Sequence, residues 1–120
     1  FYMRDDTPGC TTEAIEFSEL ENGFAKLGAS VLGVSRDDCI KHGEFRDKHG
    51  ISVRLLADKE HATCEAYGVL QDKEVDGVMR RSAVRATFVI DKQGVIRHAL
   101  YGVPSRGHAA EVLQLVKDLN

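Results

Sequence analysis

The segment FYMRDDTPGCTTE, residues 1–13, has the pattern of a buried strand end, a turn and the start of a helix. Thr7 suits the N-cap position, and Pro8 suits the first helical position, where its missing N–H leaves no bond unmade. Cys10 then lies at N3, close to unpaired backbone N–H groups and the positive end of the helix dipole, which favour a thiolate over a thiol. Because the thiolate is the nucleophilic form, the segment predicts a reactive cysteine.

Beyond this segment, the spacing of apolar residues changes repeatedly between helical and strand periods. The predicted elements, in chain order, are a helix over residues 11–27 ended by Gly28, a strand over 29–34, a helix capped by Ser35 and closed by Gly50, a short strand before Ala57, a short helix over 58–67 and a final helix over 108–119. Residues 84–91 and 95–101 are predicted to form a β-hairpin. The polar segment 69–82 has no clear period and is predicted to be a long or irregular loop.

The order of these elements indicates the fold class. With Phe1 and Tyr2 as the end of a first strand, the order β-α-β-α-β-α-β-β-α predicts an α/β fold with a mixed sheet flanked by helices. A length of 120 residues fits a single domain over residues 1–120 with one core. The first strand is expected to begin upstream of Phe1, so that N-terminal strands would be missing from this chain.

Composition and charge narrow the classes of function. A net charge of −3 without blocks of like charge predicts no affinity for nucleic acid, and the lack of a long apolar run predicts no association with a membrane. Three widely spaced cysteines argue against a secreted disulfide framework. They favour a reducing compartment, and we expect a cytoplasmic protein.

The motif DDTPGCTTEA resembles the active-site loop of the peroxiredoxins, specifically their bacterioferritin-comigratory or Q-type branch. Other segments resemble that branch in the expected order: VLGVSRDD, LLADKEHATCEAYGV, RATFVIDKQGVI and GHAAEVL. The resemblance implies a thioredoxin-like fold and a thiol peroxidase that reduces hydrogen peroxide and alkyl hydroperoxides without a metal or other cofactor. The chain departs from the family at Met3, where the family has a proline seven residues before the cysteine.

The resemblance also assigns roles to four side chains. Cys10 is expected to be the peroxidatic thiol, and the Thr7 hydroxyl to contact both sulfur and peroxide. Arg85, which precedes the Thr-Phe pair of VRATFVID, is expected to supply the cation, because a guanidinium stays charged and offers several donors in a fixed fork. Glu13 is expected to orient Arg85, or alternatively to compensate the helix dipole.

Two further arginines compete with Arg85 for the role of the cation. Arg80 and Arg81 belong to the predicted loop, and the usual fate of surface charge predicts that both are solvated. We therefore expect Arg85 to be the arginine of the site.

The oxidised cysteine, a sulfenic acid, must be returned to a thiol by another thiol. Many relatives place the resolving cysteine five residues after the first, where this chain has Ile15, and other Q-type members use the position of Arg46. Cys39 is the tentative resolving cysteine, because consecutive helices of a parallel sheet start at the same edge. Cys64 is a weaker candidate, and a one-cysteine cycle stays open. The expected reductant is thioredoxin, glutaredoxin or a small thiol, and the expected state is a monomer or weak dimer.

Three other functions are alternatives to a thiol peroxidase. Cys39 with His42, and His61 with Cys64, each place two zinc ligands one helical turn apart, which would suit a zinc-stabilised, non-catalytic binding module. A disulfide reductase of the thioredoxin type would need a second cysteine at Glu13. A partner-binding domain without catalysis is the third alternative.

Overall fold

The computed structural model describes residues 1–119, apart from the side chains of Lys73 and Val75. The helices are α1 (Pro8–Glu19), α2 (Glu21–Lys26), α3 (Cys39–His49), α4 (Ala62–Ala66) and α5 (His108–Leu119). The strands are β1 (Leu32–Ser35), β2 (Arg54–Ala57), β3 (Leu70–Val75), β4 (Val78–Ala83), β5 (Ala86–Ile90) and β6 (Ile96–Tyr101). Within the described residues, no helix is long and apolar enough to cross a membrane.

The strands pair two by two, and the first two residues connect two of the pairs. β1 and β2 are parallel, whereas β3–β4 and β5–β6 are antiparallel. The amide of Tyr2 donates to the carbonyl of Val34 at 3.0 Å, and the amide of Ala86 donates to the carbonyl of Phe1 at 3.1 Å. Phe1 and Tyr2 therefore join β1 to β5, which gives the mixed arrangement that the sequence predicts.

The first predicted helix starts at Pro8, as its cap Thr7 indicates, but it is divided into two. α1 begins at Pro8 after the N-cap Thr7, and the chain leaves helical geometry at Leu20, where φ is −96° and ψ is 1°. α2 follows, and its second and third residues, Asn22 and Gly23, are poor helix formers. The prediction of one continuous helix was therefore wrong, because weak propensity beyond Leu20 cannot extend α1.

The predicted cap of α3 was also wrong by three residues. Ser35 belongs to β1, and its hydroxyl donates to Asp37 Oδ2 at 2.7 Å. The N-cap of α3 is Asp38, whose carboxylate accepts the amide of Lys41 at 2.8 Å. The chain makes a turn after β1 before the helix can start, so the later of two suitable cap residues is used. Gly50 ends α3 with φ at +64°, as predicted.

The segment predicted to be a long loop is a β-hairpin made of β3 and β4. Asp76 and Gly77 join the strands with φ at 52° and 76°, and both angles are positive, as in the tight turns that favour Asp-Gly. The side chains from Val78 to Arg81 are exposed. Because the sequence of the two strands has no regular alternation of apolar residues, the strand period was hidden and only the Asp-Gly pair pointed to the turn.

Two hydrophobic clusters position the site. The larger one packs α1, α3 and α5 together, with Phe17, Phe24, Phe45, Val89 and Val112 among its buried members. The smaller one contains Cys64, Val69 and Ala86, covered by aromatic rings that include Phe88 and Tyr67, 4.9 Å apart in an edge-on contact. β5 takes part in both clusters, so the residue just before it, Arg85, is held rigidly.

Candidate active site

Cys10 is the third residue of α1, as the sequence predicts. Thr7 caps the helix with extended backbone, and its carbonyl accepts the amide of Thr11 at 2.8 Å. The Thr7 hydroxyl makes no capping bond and donates instead to the carbonyl of Arg4 at 3.1 Å. The amides of Gly9 and Cys10 therefore have no partner within the helix, and they face the space in front of α1.

The side chain of Arg85, the residue just before β5, reaches this helix start. Its Nη1 donates to Glu13 Oε1 at 3.0 Å, and both side chains are only 10% exposed. A Cβ placed on Gly9 would lie 2.9 Å from Nη2 of Arg85. The structure thus brings Arg85, Glu13 and the Gly9-Cys10 turn together, with the guanidinium against the residue that precedes the cysteine.

The Arg85–Glu13 pair is costly to bury. Burial raises the pKa of Glu13 above its ordinary value, and the charge of Arg85 only partly opposes this effect. The backbone of Arg85 is fixed as well, because its carbonyl accepts the amides of Gly102 and Val103 at 2.8 and 3.2 Å. A buried ion pair contributes little net stability, so stability alone does not account for this pair at the start of α1.

Cys10 itself is more enclosed than its place at a helix start suggests. The residue is 1% exposed. It borders a cavity of about 50 Å³ whose lining includes Phe1, Tyr2, Glu13 and Phe17 but neither Thr7 nor Arg85. This cavity is therefore not a place where Cys10, Thr7 and Arg85 could act on one molecule.

The other two cysteines lie in contrasting surroundings, and all three are free thiols. Cys39 is exposed at the first residue of α3. Cys64 is fully buried, and its amide donates to Asp58 Oδ2 at 2.7 Å. Burial, reinforced by Asp58, raises the pKa of the Cys64 thiol to about 11. Burial therefore favours the thiol form of Cys64 over the reactive thiolate.

The four residues of the alternative zinc site are not brought together. His42 binds Asp5 and the Leu56 carbonyl through its two ring nitrogens. Among the described residues, the group of three or more side chains with metal-ligand atoms in mutual reach is Asp5, Asp37 and His42, which excludes Cys39, His61 and Cys64. The binding module built on zinc is thus not supported.

That group is also what the sequence reasoning missed. Asp5 Oδ2 lies 2.7 Å from Nδ1 of His42, and the amide of Asp5 donates to Asp37 Oδ2 at 2.8 Å. Asp6, the next residue, accepts from Lys48 at 2.8 Å and lies 2.7 Å from Nε2 of His49. The only sequence signal for these contacts was a pair of acidic residues directly before the Thr-Pro turn.

Known proteins match the sequence of this chain over most or all of its length. The sequence profile described as the AhpC/TSA family matches residues 1–99. Peroxiredoxin Bcp of Bacillus subtilis (strain 168) is 42% identical over 120 residues, which cover 100% of this chain and 76% of that protein. Peroxiredoxin Bcp of Xanthomonas campestris is 39% identical over 117 residues, which cover 98% of this chain and 73% of that protein.

Solved structures agree with these sequence matches. The bacterioferritin comigratory protein of Xanthomonas campestris, whose alkyl peroxide reduction activity was studied in trapped intermediate and ligand complexes, aligns with a TM-score of 0.96 at 38% identity, covering 99% of this chain and 76% of that chain. Peroxidoxin BcpB of Mycobacterium tuberculosis aligns with a TM-score of 0.85 at 29% identity, covering 100% of this chain and 77% of that chain. The predicted thioredoxin-like fold is thereby confirmed.

Proposed function

The chain belongs to the AhpC/TSA family, in its Bcp and peroxiredoxin Q branch, and is a peroxidase of the oxidoreductase class; on that premise we propose that Cys10 is the thiol that attacks the peroxide. The observation that carries the proposal is the buried Arg85–Glu13 pair, with Arg85 against Gly9 at the start of α1. A positive group at this position stabilises a thiolate and the charge that develops on the leaving oxygen.

The proposed first step is a displacement on the O–O bond. The Cys10 thiolate attacks the terminal oxygen of the hydroperoxide, the O–O bond breaks, and the electron pair leaves with the second oxygen as hydroxide or alkoxide. That oxygen then takes a proton from water, and Cys10 becomes a sulfenic acid. Arg85 and the free amides of Gly9 and Cys10 supply donors for the departing oxygen.

Thr7 has a role that fits its observed hydrogen bond. Its hydroxyl hydrogen is used by the Arg4 carbonyl, which leaves the hydroxyl oxygen as an acceptor. We propose that the O–H of the hydroperoxide donates to this oxygen and is thereby aimed at Cys10. The substrates are hydrogen peroxide and small alkyl hydroperoxides, since the enclosure of Cys10 leaves little room for bulky groups.

Recycling requires a second thiol. The turn before α3 touches the turn before α1, because Asp37 accepts the amide of Asp5. Exposed Cys39 is two residues further on, which supports it as the tentative resolving cysteine. A disulfide between Cys39 and Cys10 would need local unwinding, because sulfur atoms bond at about 2 Å with Cα atoms roughly 5.5 Å apart. Thioredoxin, glutaredoxin or a small thiol would then restore both thiols.

The main test compares the wild type with Cys10→Ser and Cys64→Ser. Wild type and Cys64→Ser are expected to consume hydrogen peroxide with a thiol reductant, whereas Cys10→Ser loses activity. Intact mass after one equivalent of peroxide, with and without a sulfenic-acid trap, identifies the product on Cys10. Retention of more than about a tenth of the rate by Cys10→Ser would reject the assignment.

Cys39 is tested separately from Cys10. Cys39→Ser is expected to stop turnover with thioredoxin while the first oxidation of Cys10 stays intact. Unchanged turnover would reject Cys39 and leave a one-cysteine cycle with an external thiol. The cytoplasmic location and a monomer or weak dimer also stay part of this proposal, the former because three free cysteines suit a reducing compartment.

A further inference from the structure

The β6–α5 segment, residues 102–107, is bound to the candidate active site at both of its ends. At the first end, the carbonyl of Arg85 accepts the amides of Gly102 and Val103 at 2.8 and 3.2 Å. At the other end, the amide of Gly107 donates to Glu16 Oε1 at 2.7 Å. The segment is therefore fixed to the backbone of Arg85 by its first residues and to α1 by its last residue.

One face of α1 makes the contacts with Arg85 and with this segment. Gly9, Glu13 and Glu16 are spaced by four and then three positions, which places them on the same face of the helix. Glu13 accepts from the side chain of Arg85, and Glu16 accepts from Gly107. Arg85 and the β6–α5 segment therefore cover this face together, beginning at the residue directly before Cys10.

Ser105, in the middle of the segment, borders the space above Gly9. A Cβ placed on Gly9 would lie 2.9 Å from Nη2 of Arg85 and 3.7 Å from Oγ of Ser105. Because glycine has no side chain, this position stays open between the guanidinium and the serine hydroxyl. Ser105 itself is half-buried. The side chain of Ser105 is thus a wall of the small space that Arg85 faces at the start of α1.

The chemistry of the proposed reaction determines where the alkyl group of a hydroperoxide must lie. The Cys10 thiolate bonds to the terminal oxygen, and the O–O bond breaks. The electron pair leaves with the other oxygen, which carries the alkyl group. Arg85 and the amides of Gly9 and Cys10 are the proposed donors for that departing oxygen. Since the alkyl group is one bond away from this oxygen, it must lie beside the same donors, in the space that Ser105 borders.

We propose that Ser105 is a specificity-determining residue whose side chain limits the size of the alkyl group, and that Glu16 is a positioning residue that holds Ser105 in place through Gly107. The inference rests on the proposed function, because it needs the departing oxygen to be bound beside Arg85. Hydrogen peroxide has only a hydrogen atom where a hydroperoxide has its alkyl group. Its reaction with Cys10 is therefore insensitive to Ser105 and Glu16, whereas the reaction of a bulky hydroperoxide depends on both.

The test of Ser105 compares two oxidants on the same variants. The rate constant for oxidation of Cys10 by cumene hydroperoxide is divided by that for hydrogen peroxide, which cancels any general effect on the thiol. Ser105→Ala should raise this ratio about threefold, and Ser105→Leu should lower it about tenfold. Ser82→Leu is the matched control, because Ser82 is also half-buried but lies on β4. Its ratio should equal that of the wild type.

Glu16 is tested by two variants that both lack its charge. Glu16→Gln keeps an oxygen that accepts the Gly107 amide, whereas Glu16→Ala removes the acceptor. Glu16→Ala should raise the ratio about threefold, because the β6–α5 segment can then withdraw from α1, and Glu16→Gln should leave it unchanged. Glu19→Ala, at an exposed position at the end of α1, is the control. Equal ratios in Glu16→Ala and Glu16→Gln would overturn the positioning role of Glu16.

Hydrogen exchange of the Gly107 amide gives a readout that does not depend on peroxide. Protection is expected in the wild type and in Glu16→Gln, and its loss is expected in Glu16→Ala.

The outcomes separate this inference from the proposed function. If hydrogen peroxide oxidises Cys10 but neither Ser105 variant changes the ratio, the inference is overturned and the peroxidatic role of Cys10 stands. Should Ser105→Leu not fold, Ser105→Ala decides alone. If neither peroxide oxidises wild-type Cys10, the proposed function has failed, and the role of Ser105 in specificity fails with it.

Discussion

The first turns of α1 and α3 each contain a cysteine, but their surroundings differ. At α1, Cys10 is buried and a buried cation, Arg85, lies against the preceding glycine. At α3, Cys39 is exposed and the neighbouring cap is the carboxylate of Asp38. Both sulfur atoms are close to a helix N-terminus, so that feature alone does not distinguish them. The difference between the two helix starts is the side chain of Arg85, which lies just before β5 and, under the proposed function, selects the thiol that reacts.

Removal of the buried cation is expected to have the largest effect. Arg85→Lys keeps a positive charge but loses the fork that spans Glu13 and the helix start, so peroxide consumption should fall by about 100-fold or more. The double variant Glu13→Gln with Arg85→Gln removes both charges together. Circular dichroism checks whether it is folded. Steady-state kinetics gives the loss.

Arg81→Gln serves as the control for this prediction. The side chain of Arg81 is 57% exposed, and its Nη1 lies 3.7 Å from Glu65 Oε1. The activity of Arg81→Gln should therefore stay within about twofold of the wild type. Equal losses in the Arg81 and Arg85 variants would remove the distinction between the two helix starts.

A maleimide and hydrogen peroxide should react preferentially with different cysteines. A bulky maleimide should label exposed Cys39 at least about tenfold faster than Cys10, whereas hydrogen peroxide should oxidise Cys10 first. Peptide mass spectrometry after brief exposure to substoichiometric reagent assigns each site. Preferential oxidation of Cys39 by peroxide would contradict the role of Arg85.

Substitutions of the two cap residues should have smaller effects. One should lower mainly stability, and the other mainly activity. Asp38→Ala removes a capping bond and should lower the free energy of unfolding by about 1 kcal/mol, with little change in activity. Thr7→Val removes a hydroxyl that makes no capping bond, so it should cost less stability but slow peroxide consumption about fivefold. Chemical denaturation and kinetics on both variants check this, and equal profiles would argue against a substrate contact at Thr7.

The smallest effect concerns the pH dependence of stability through Glu13. Because the pKa of Glu13 is raised in the folded state, its stabilising contribution is complete below the ordinary value of 4.5 and is lost as the pH rises through the folded value. The stability of the wild type relative to Glu13→Gln should therefore decrease as the pH is raised toward neutrality. Urea unfolding measures the difference. An increase would mean that Arg85 outweighs burial.

Local sequence signals correctly predicted the start of α1 and the end of α3. Thr7, Pro8 and Gly50 act through bonds within a few residues, and their positions were correct. Ser35 and Asp38 are both good cap residues, and the choice between them depends on how the chain leaves β1. The hairpin of β3 and β4 escaped because its exposed faces carry no alternation of apolar residues.

For the candidate site, too, some contacts could be predicted from the sequence and others could not. The resemblance paired Arg85 with Glu13, although 72 residues separate them, because the family pattern already encodes that contact. The contact between Asp5 and His42 joins residues 37 positions apart, and no local period could reveal it. The enclosure of Cys10 was also hidden, since burial depends on how several elements pack together.

Cys64 offers a use that does not depend on catalysis. Its thiol is fully buried within the smaller cluster, and burial raises its pKa to about 11, so a thiol-specific reagent can reach it only when that part of the fold opens. The labelling rate of Cys64 in a Cys10→Ser, Cys39→Ser background would thus report the frequency of that opening. The chain thus contains its own probe for transient opening of the smaller cluster.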